Sequence, residues 1–299
     1  MSFFVPLTVI AGIVISLFFL GSAKPDNPQI ITEVKTEFSS VEIPDSLSFV
    51  GEIMPLNRFD VREALDRELL SNAYFHSQTI RYIKLAPRYF SVIEPILREN
   101  GIPEDFKYLA LAESGFNPRA VSPASAVGFW QFLKGTAQDY GLEVNSEVDE
   151  RYHVEKSTIA ACKYMKDAYD KYGSWTLVAA SYNAGLAGIQ RQIDRQKSND
   201  YYDILFVEET QRYVFRIAAL KLIMENPVNY NFNIQESDKY PIIKTRDVEI
   251  AGSVTDFADF AQKNGISYKL LKDFNPWLRD TKLTNSARKK YMVKIPVLD

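Results

Sequence analysis

Glu113 sits where a carboxylate is not comfortable. Ile102-Pro103-Glu104-Asp105 reads as a helix start, with proline early and acids in the first turn. From there Phe106, Leu109, Ala110 and Glu113 fall at i, i+3, i+4 and i+7, which is one helical face and otherwise apolar. Gly115 and Asn117-Pro118 stop the helix, so Glu113 lies in its last turn on the side that packs. A carboxyl held against apolar surface has its neutral form favoured and its pKa raised, as a general acid near neutral pH requires. A structural glutamate bonded to backbone or to an arginine fits the same placement.

The elements that must position this residue are mainly helical. Asp60 opens helical texture with Leu65, Leu69 and Leu70 as its stripe, and Ile80 and Ile83 mark a further segment that Pro87 ends. Tyr89 to Glu99 closes at Asn100-Gly101, and helices recur at Thr158 to Tyr172, Trp175 to Asn183 and Glu209 to Met224. Beyond about residue 240 the order becomes β-α-α-β: Val248-Glu249-Ile250, Asp256 to Lys263, Tyr268 to Phe274, then Tyr291 to Ile295. Residues 24–58, interrupted by Pro25, Pro28, Pro44 and Pro55, read as a tether.

Four blocks follow one another from Glu113 on. They are Glu113-Ser114-Gly115-Phe116-Asn117-Pro118-Arg119-Ala120-Val121-Ser122, Ala124-Ser125-Ala126-Val127-Gly128-Phe129-Trp130-Gln131-Phe132, Ser181-Tyr182-Asn183-Ala184-Gly185, and Glu208-Glu209-Thr210-Gln211-Arg212-Tyr213-Val214. In order and spacing they resemble the family 1 lytic transglycosylases, the goose-lysozyme-like enzymes that cleave bacterial peptidoglycan, and most of all the membrane-bound transglycosylase D subgroup. Phe129-Trp130 departs from the family's usual pair there, and Ser181 stands where alanine is usual. The region after residue 240, with Asn264-Gly265-Ile266-Ser267, Leu270-Leu271 and Asn275-Pro276, resembles LysM modules, which bind N-acetylglucosamine-containing glycans. The usual Gly-Asp-Thr is replaced by Gly252-Ser253-Val254-Thr255, so the module is either a sugar binder or a packing appendage.

The resemblance implies a lysozyme-like catalytic domain over residues 59–240 and a βααβ module over 241–299. It implies Glu113 as the catalytic acid, and Ser122, Gln131, Tyr182, Asn183, Glu209 and Tyr213 as residues lining the substrate cleft. Read alone, Ser122 would be a turn residue before Pro123 and Gln131 a helix-surface residue. Phe129 and Trp130 are either a sugar-stacking wall or core. Glycoside cleavage normally uses two carboxyl groups. Glu147, Asp149 and Glu150 lie in a polar connection and read as caps or ion-pair partners of the next helix, which leaves Glu209 as the second candidate. In the family the substrate supplies the nucleophile, and the product ends in 1,6-anhydro-N-acetylmuramic acid. A hydrolytic muramidase, a catalytically silent glycan-binding scaffold and an inhibitor-type or structural wall protein are the other readings.

Composition is consistent with this. Apolar residues make up 46% and charged residues 24%, as in ordinary globular proteins, and a net charge of −3 offers no footprint for nucleic acid. His76, His153 and the single Cys162 leave no metal site, and no cofactor is implied. Cys162 shares a helical stripe with Thr158, Met165 and Tyr169 and reads as a small core side chain. Residues 3–20 carry no charge and Gly21-Ser22-Ala23 ends them, so 1–23 reads as an export signal or an uncleaved anchor. Either places the rest in the periplasm or cell envelope, with peptidoglycan as partner.

Overall fold

The computed structural model describes residues 40–298. The apolar run 3–20 and the first part of the expected tether lie outside these residues, and no described helix is long and apolar enough to cross a membrane. From Leu47 the expected tether is part of the fold. An antiparallel hairpin of β1 (Leu47–Phe49) and β2 (Glu52–Met54) buries Leu47, Phe49, Val50, Met54 and Leu56. Each side chain so buried contributes roughly 1.5–3 kcal/mol. Three-residue strands are too short to show a period in the sequence, and Pro44 and Pro55 mask them further.

Helix α1 (Phe59–Ala73) follows, then α2 (His76–Glu99). Pro87 does not end a segment as expected: α2 runs unbroken through Pro87 and Pro95. An interior proline removes one backbone hydrogen bond, but Ile83, Leu85, Ala86, Ile93 and Leu97 bury a stripe on both sides of it, and packing outweighs propensity. Helix α3 (Phe106–Ser114) begins later than Ile102-Pro103 suggests, because 103–105 form a turn. The Asp105 carboxylate caps nothing in α3; it accepts from the Val50 amide at 2.8 Å and from Lys221 Nζ at 2.7 Å.

The chain continues through α4 (Lys134–Asp139), α5 (Val154–Tyr172), α6 (Trp175–Ala184), α7 (Leu186–Gln196) and α8 (Glu208–Glu225). Helix α8 is the hub, packing on α1, α3 and α6 through Val214, Ile217, Ala218 and Ile223, all fully buried. Glu52 of the hairpin caps α6, accepting from the Trp175 and Thr176 amides at 2.6 and 3.0 Å. The hairpin thereby fixes the helix that ends in Tyr182 and Asn183. The carboxy-terminal part has the expected β-α-α-β order: β3 (Thr245–Ile250), α9 (Phe257–Lys263), α10 (Tyr268–Phe274) and β4 (Tyr291–Pro296), with β3 and β4 antiparallel. Ser267 N-caps α10, accepting from the Leu270 amide at 3.2 Å. The architecture is mainly helical, as expected, with named strands confined to these two pairs among the described residues.

Candidate active site

Phe106, Leu109 and Ala110 are fully buried, so the apolar face of α3 lies inward and carries Glu113 with it. Gly115 follows in the left-handed region at φ 57°, and Tyr82 Cε1 lies 2.8 Å from where a Cβ would stand. Only glycine both turns the chain there and admits the ring. The Glu113 Oε1 accepts a short hydrogen bond from the Tyr213 hydroxyl, delivered from α8. Tyr213 is buried, and burial followed by the Glu113 charge pushes its own pKa well above the usual phenol value. It is a donor here and stays one.

Burial raises the Glu113 pKa from 4.5 to about 7. The Tyr213 hydrogen bond and the Arg216 charge pull it down, and the Glu209 charge pushes it up. Arg216 also lies 3.6 Å from the buried Glu68 of α1, which pairs with Arg212 at 2.5 Å. The sequence reading missed Glu68 and Arg216. Their signal was faint: two arginines four apart on α8, and one acid inside the Leu65-Leu69 stripe of α1.

The remaining expected site residues fall in two groups. On α6 and α8, Asn183 Oδ1 accepts from Thr210 Oγ1 at 2.7 Å, and its Nδ2 lies 3.4 Å from Glu209 Oε1. Glu209 is exposed, unlike Glu113. The Tyr182 hydroxyl donates to the Trp130 carbonyl at 2.8 Å. On the loop 120–132, Ser122 Oγ accepts from the Ala126 amide at 3.0 Å, which closes a turn. Gln131 is not on a helix: it has φ 47°, and its amide donates to the carbonyls of Gly128 (2.8 Å) and Ala120 (3.3 Å). Phe129 and Trp130 are fully buried, and Trp130 Nε1 donates to Thr158 Oγ1 at 2.9 Å, so both are core and not a sugar wall.

Asp149 caps a short turn and pairs with Arg151 at 2.7 Å, and Glu150 pairs with Lys156. Cys162 is fully buried. A cavity of about 420 Å³ lies at the seam between Tyr89, Arg119, His153 and Trp277, and none of the expected site residues lines it.

One acid in the last turn of a helix, held by a tyrosine from a facing helix and raised to about 7, is able to give and take a proton near neutral pH. Two family comparisons match this chain: residues 91–205 with the transglycosylase SLT domain, and residues 246–299 with the soluble lytic transglycosylase C-terminal LysM-like domain. The chain thus carries an SLT domain followed by that LysM-like domain. It is homologous to membrane-bound lytic murein transglycosylase D of Escherichia coli K12, at 29% identity over 257 residues, 83% of this chain and 55% of that protein. The chain therefore spans about half the length of that relative. Among solved structures it is similar to the 70 kDa soluble lytic transglycosylase of E. coli (TM-score 0.41, 21% identity, 47% of this chain and 24% of that one). It is also similar to an inactive mutant of lytic transglycosylase Slt from Pseudomonas aeruginosa (TM-score 0.40, 19% identity, 62% and 36%).

Proposed function

We propose that this protein is a peptidoglycan lytic transglycosylase of the cell envelope, which cleaves the β-1,4 bond between N-acetylmuramic acid and N-acetylglucosamine. The observation that carries the reading is Glu113: a single carboxyl raised to about 7, with the other candidate, Glu209, exposed and bonded to Asn183. A group with that pKa can both give and take a proton near neutrality.

Glu113 in its protonated form donates to the glycosidic oxygen as the bond to C1 of N-acetylmuramic acid breaks. The acetamido carbonyl oxygen of the same sugar closes on C1. The C6 hydroxyl then attacks C1, expels the acetamido oxygen and returns its proton to Glu113. No water is consumed, and the acid is regenerated. Tyr213 steadies the carboxylate between the two steps, which is where its hydrogen bond is strongest. Residues 59–240 form the cleaving domain in this reading. Ser122, Gln131, Tyr182, Asn183, Glu209 and Tyr213 line the cleft, and residues 3–20 direct export or anchor the chain.

Mass spectrometry of peptidoglycan digested by the purified protein tests the reading. Muropeptides ending in 1,6-anhydro-N-acetylmuramic acid are expected. Free reducing ends as the main species would replace it with a hydrolytic muramidase, and no soluble product would favour a silent scaffold.

A further inference from the structure

The LysM-like module has a face that is engaged inside the molecule. Leu278 makes an antiparallel bridge with Val148, the Asp149 amide donates to the Trp277 carbonyl at 2.9 Å, and the Arg279 amide donates to the Glu147 carbonyl at 2.8 Å. Glu147 accepts from the Thr284 amide and hydroxyl at 2.7 and 2.6 Å, and Glu143 accepts from Lys289 and Tyr291, both at 3.0 Å. Val127, Val148 and Tyr152 belong to the same apolar cluster as the module's own Phe257, Leu271 and Val293. In the run Arg288-Lys289-Lys290, Lys289 pairs with Glu143 and Lys290 with Glu249.

The segment that the module grips leads straight to the site loop. Arg151, paired with Asp149, donates from Nη1 to the carbonyls of Ser125 (3.3 Å) and Phe132 (3.2 Å). Those two carbonyls bracket Gln131, and Ser125 lies in the turn that Ser122 closes. Gly128 of the same loop lies so close to Arg151 that a Cβ would stand 2.0 Å from its carbonyl oxygen. The loop in turn holds Tyr182 through the Trp130 carbonyl.

We propose that the module works as a brace: through Trp277 and Leu278 it fixes residues 143–152, and Arg151 is the positioning residue that holds the loop 120–132 in its substrate-binding shape. This rests on the proposed cleavage reaction and gives the module a part in it that is separate from gathering the polymer. A loop displaced by even an ångström loses binding and orientation of the sugar. The acid itself, set by α3 and α8, is not reached by these bonds.

The full chain is compared with Leu278→Ala, with the half-buried Glu147→Ala, and with Arg151→Ala and Arg151→Lys, on a short soluble glycan fragment that no tether can concentrate. The expected result for Leu278→Ala and Arg151→Ala is a KM raised about tenfold with an unchanged pH profile, and a smaller rise for Glu147→Ala and Arg151→Lys. Amide hydrogen exchange of 120–132 should speed up with it. That readout needs no turnover, so it tests the brace even if the native protein proves not to cleave glycan. Faster exchange confined to residues 245–298, with KM unchanged in all four variants, would overturn the proposal.

Discussion

Glu113→Gln separates the cost of the buried acid from its use. The wild-type carboxyl has an ordinary value near 4.5 when unfolded and about 7 when folded. The folded state therefore holds its proton more tightly. Below about pH 4.5 both states are neutral and the acid costs nothing extra; as pH rises through 7 the folded carboxyl must ionise in place and stability falls. Fully ionised, that difference is about 3 kcal/mol at roughly 1.36 kcal/mol per pH unit. Glu113 keeps a partly exposed edge, so water reduces the figure to about 2 kcal/mol. Glutamine has the same size and no charge. Its melting temperature should match the wild type near pH 4.5 and exceed it by about 4 °C at pH 8.5, using roughly 2 °C per kcal/mol for a chain of this size. Activity should fall about 10²–10⁴-fold. Scanning calorimetry from pH 4.5 to 8.5 checks the sign. A melting-temperature difference that does not grow with pH, or a variant less stable at pH 8.5, would refute the burial argument.

Three further outcomes follow from the same geometry. Tyr213→Phe removes a contact that lowers the Glu113 pKa, so the pH–rate profile on soluble glycan should move to higher pH while KM changes little. Glu209→Gln removes a charge that raises it, so the profile should move the other way, with a smaller loss of rate than Glu113→Gln; complete loss would make Glu209 a reacting group. Gly128→Ala places a Cβ against the Arg151 carbonyl at φ 80° and should destabilise the fold by at least about 2 kcal/mol in urea titration.

What was legible in the sequence had a period or a motif to announce it. The inward face of α3 was visible because three fully buried residues precede Glu113 at helical spacing. The β-α-α-β order after residue 240 was visible for the same reason, with turn residues between its elements. The hairpin at 47–54 was not, because three-residue strands carry no alternation to read. Pro87 misled by its type: propensity argues for a break, and the packing of α2 on α3 and α5, which no local rule contains, holds the helix through it. Gln131 was misplaced for a related reason: it sits in a turn with a left-handed backbone, its side-chain amide bonded to the Gly128 and Ala120 carbonyls, and no local pattern announces either. Pairings between distant elements, such as Glu68 with Arg212 and Arg216, leave almost no trace in a single sequence.

That last network explains how α8 can serve both the core and the acid. The helix presents Tyr213 and Arg216 to Glu113, and a free guanidinium beside a carboxylate would form an ion pair that holds the acid ionised. Glu68 is buried between Arg212 and Arg216 and offers a competing carboxylate from α1. With Arg216 shared in this way, its pull on Glu113 ranks below burial and below the Tyr213 hydrogen bond, and the acid stays near neutrality. Glu68→Gln should therefore act on a residue it does not touch. Released from its partner, Arg216 turns toward Glu113, the Glu113 pKa falls, and the fraction of enzyme with a proton to donate at pH 7 falls with it. The pH–rate profile should shift to lower pH, and Arg216→Gln in the same background should bring it back. A Glu68→Gln enzyme that loses stability but keeps the wild-type profile would show that the pair serves the fold alone.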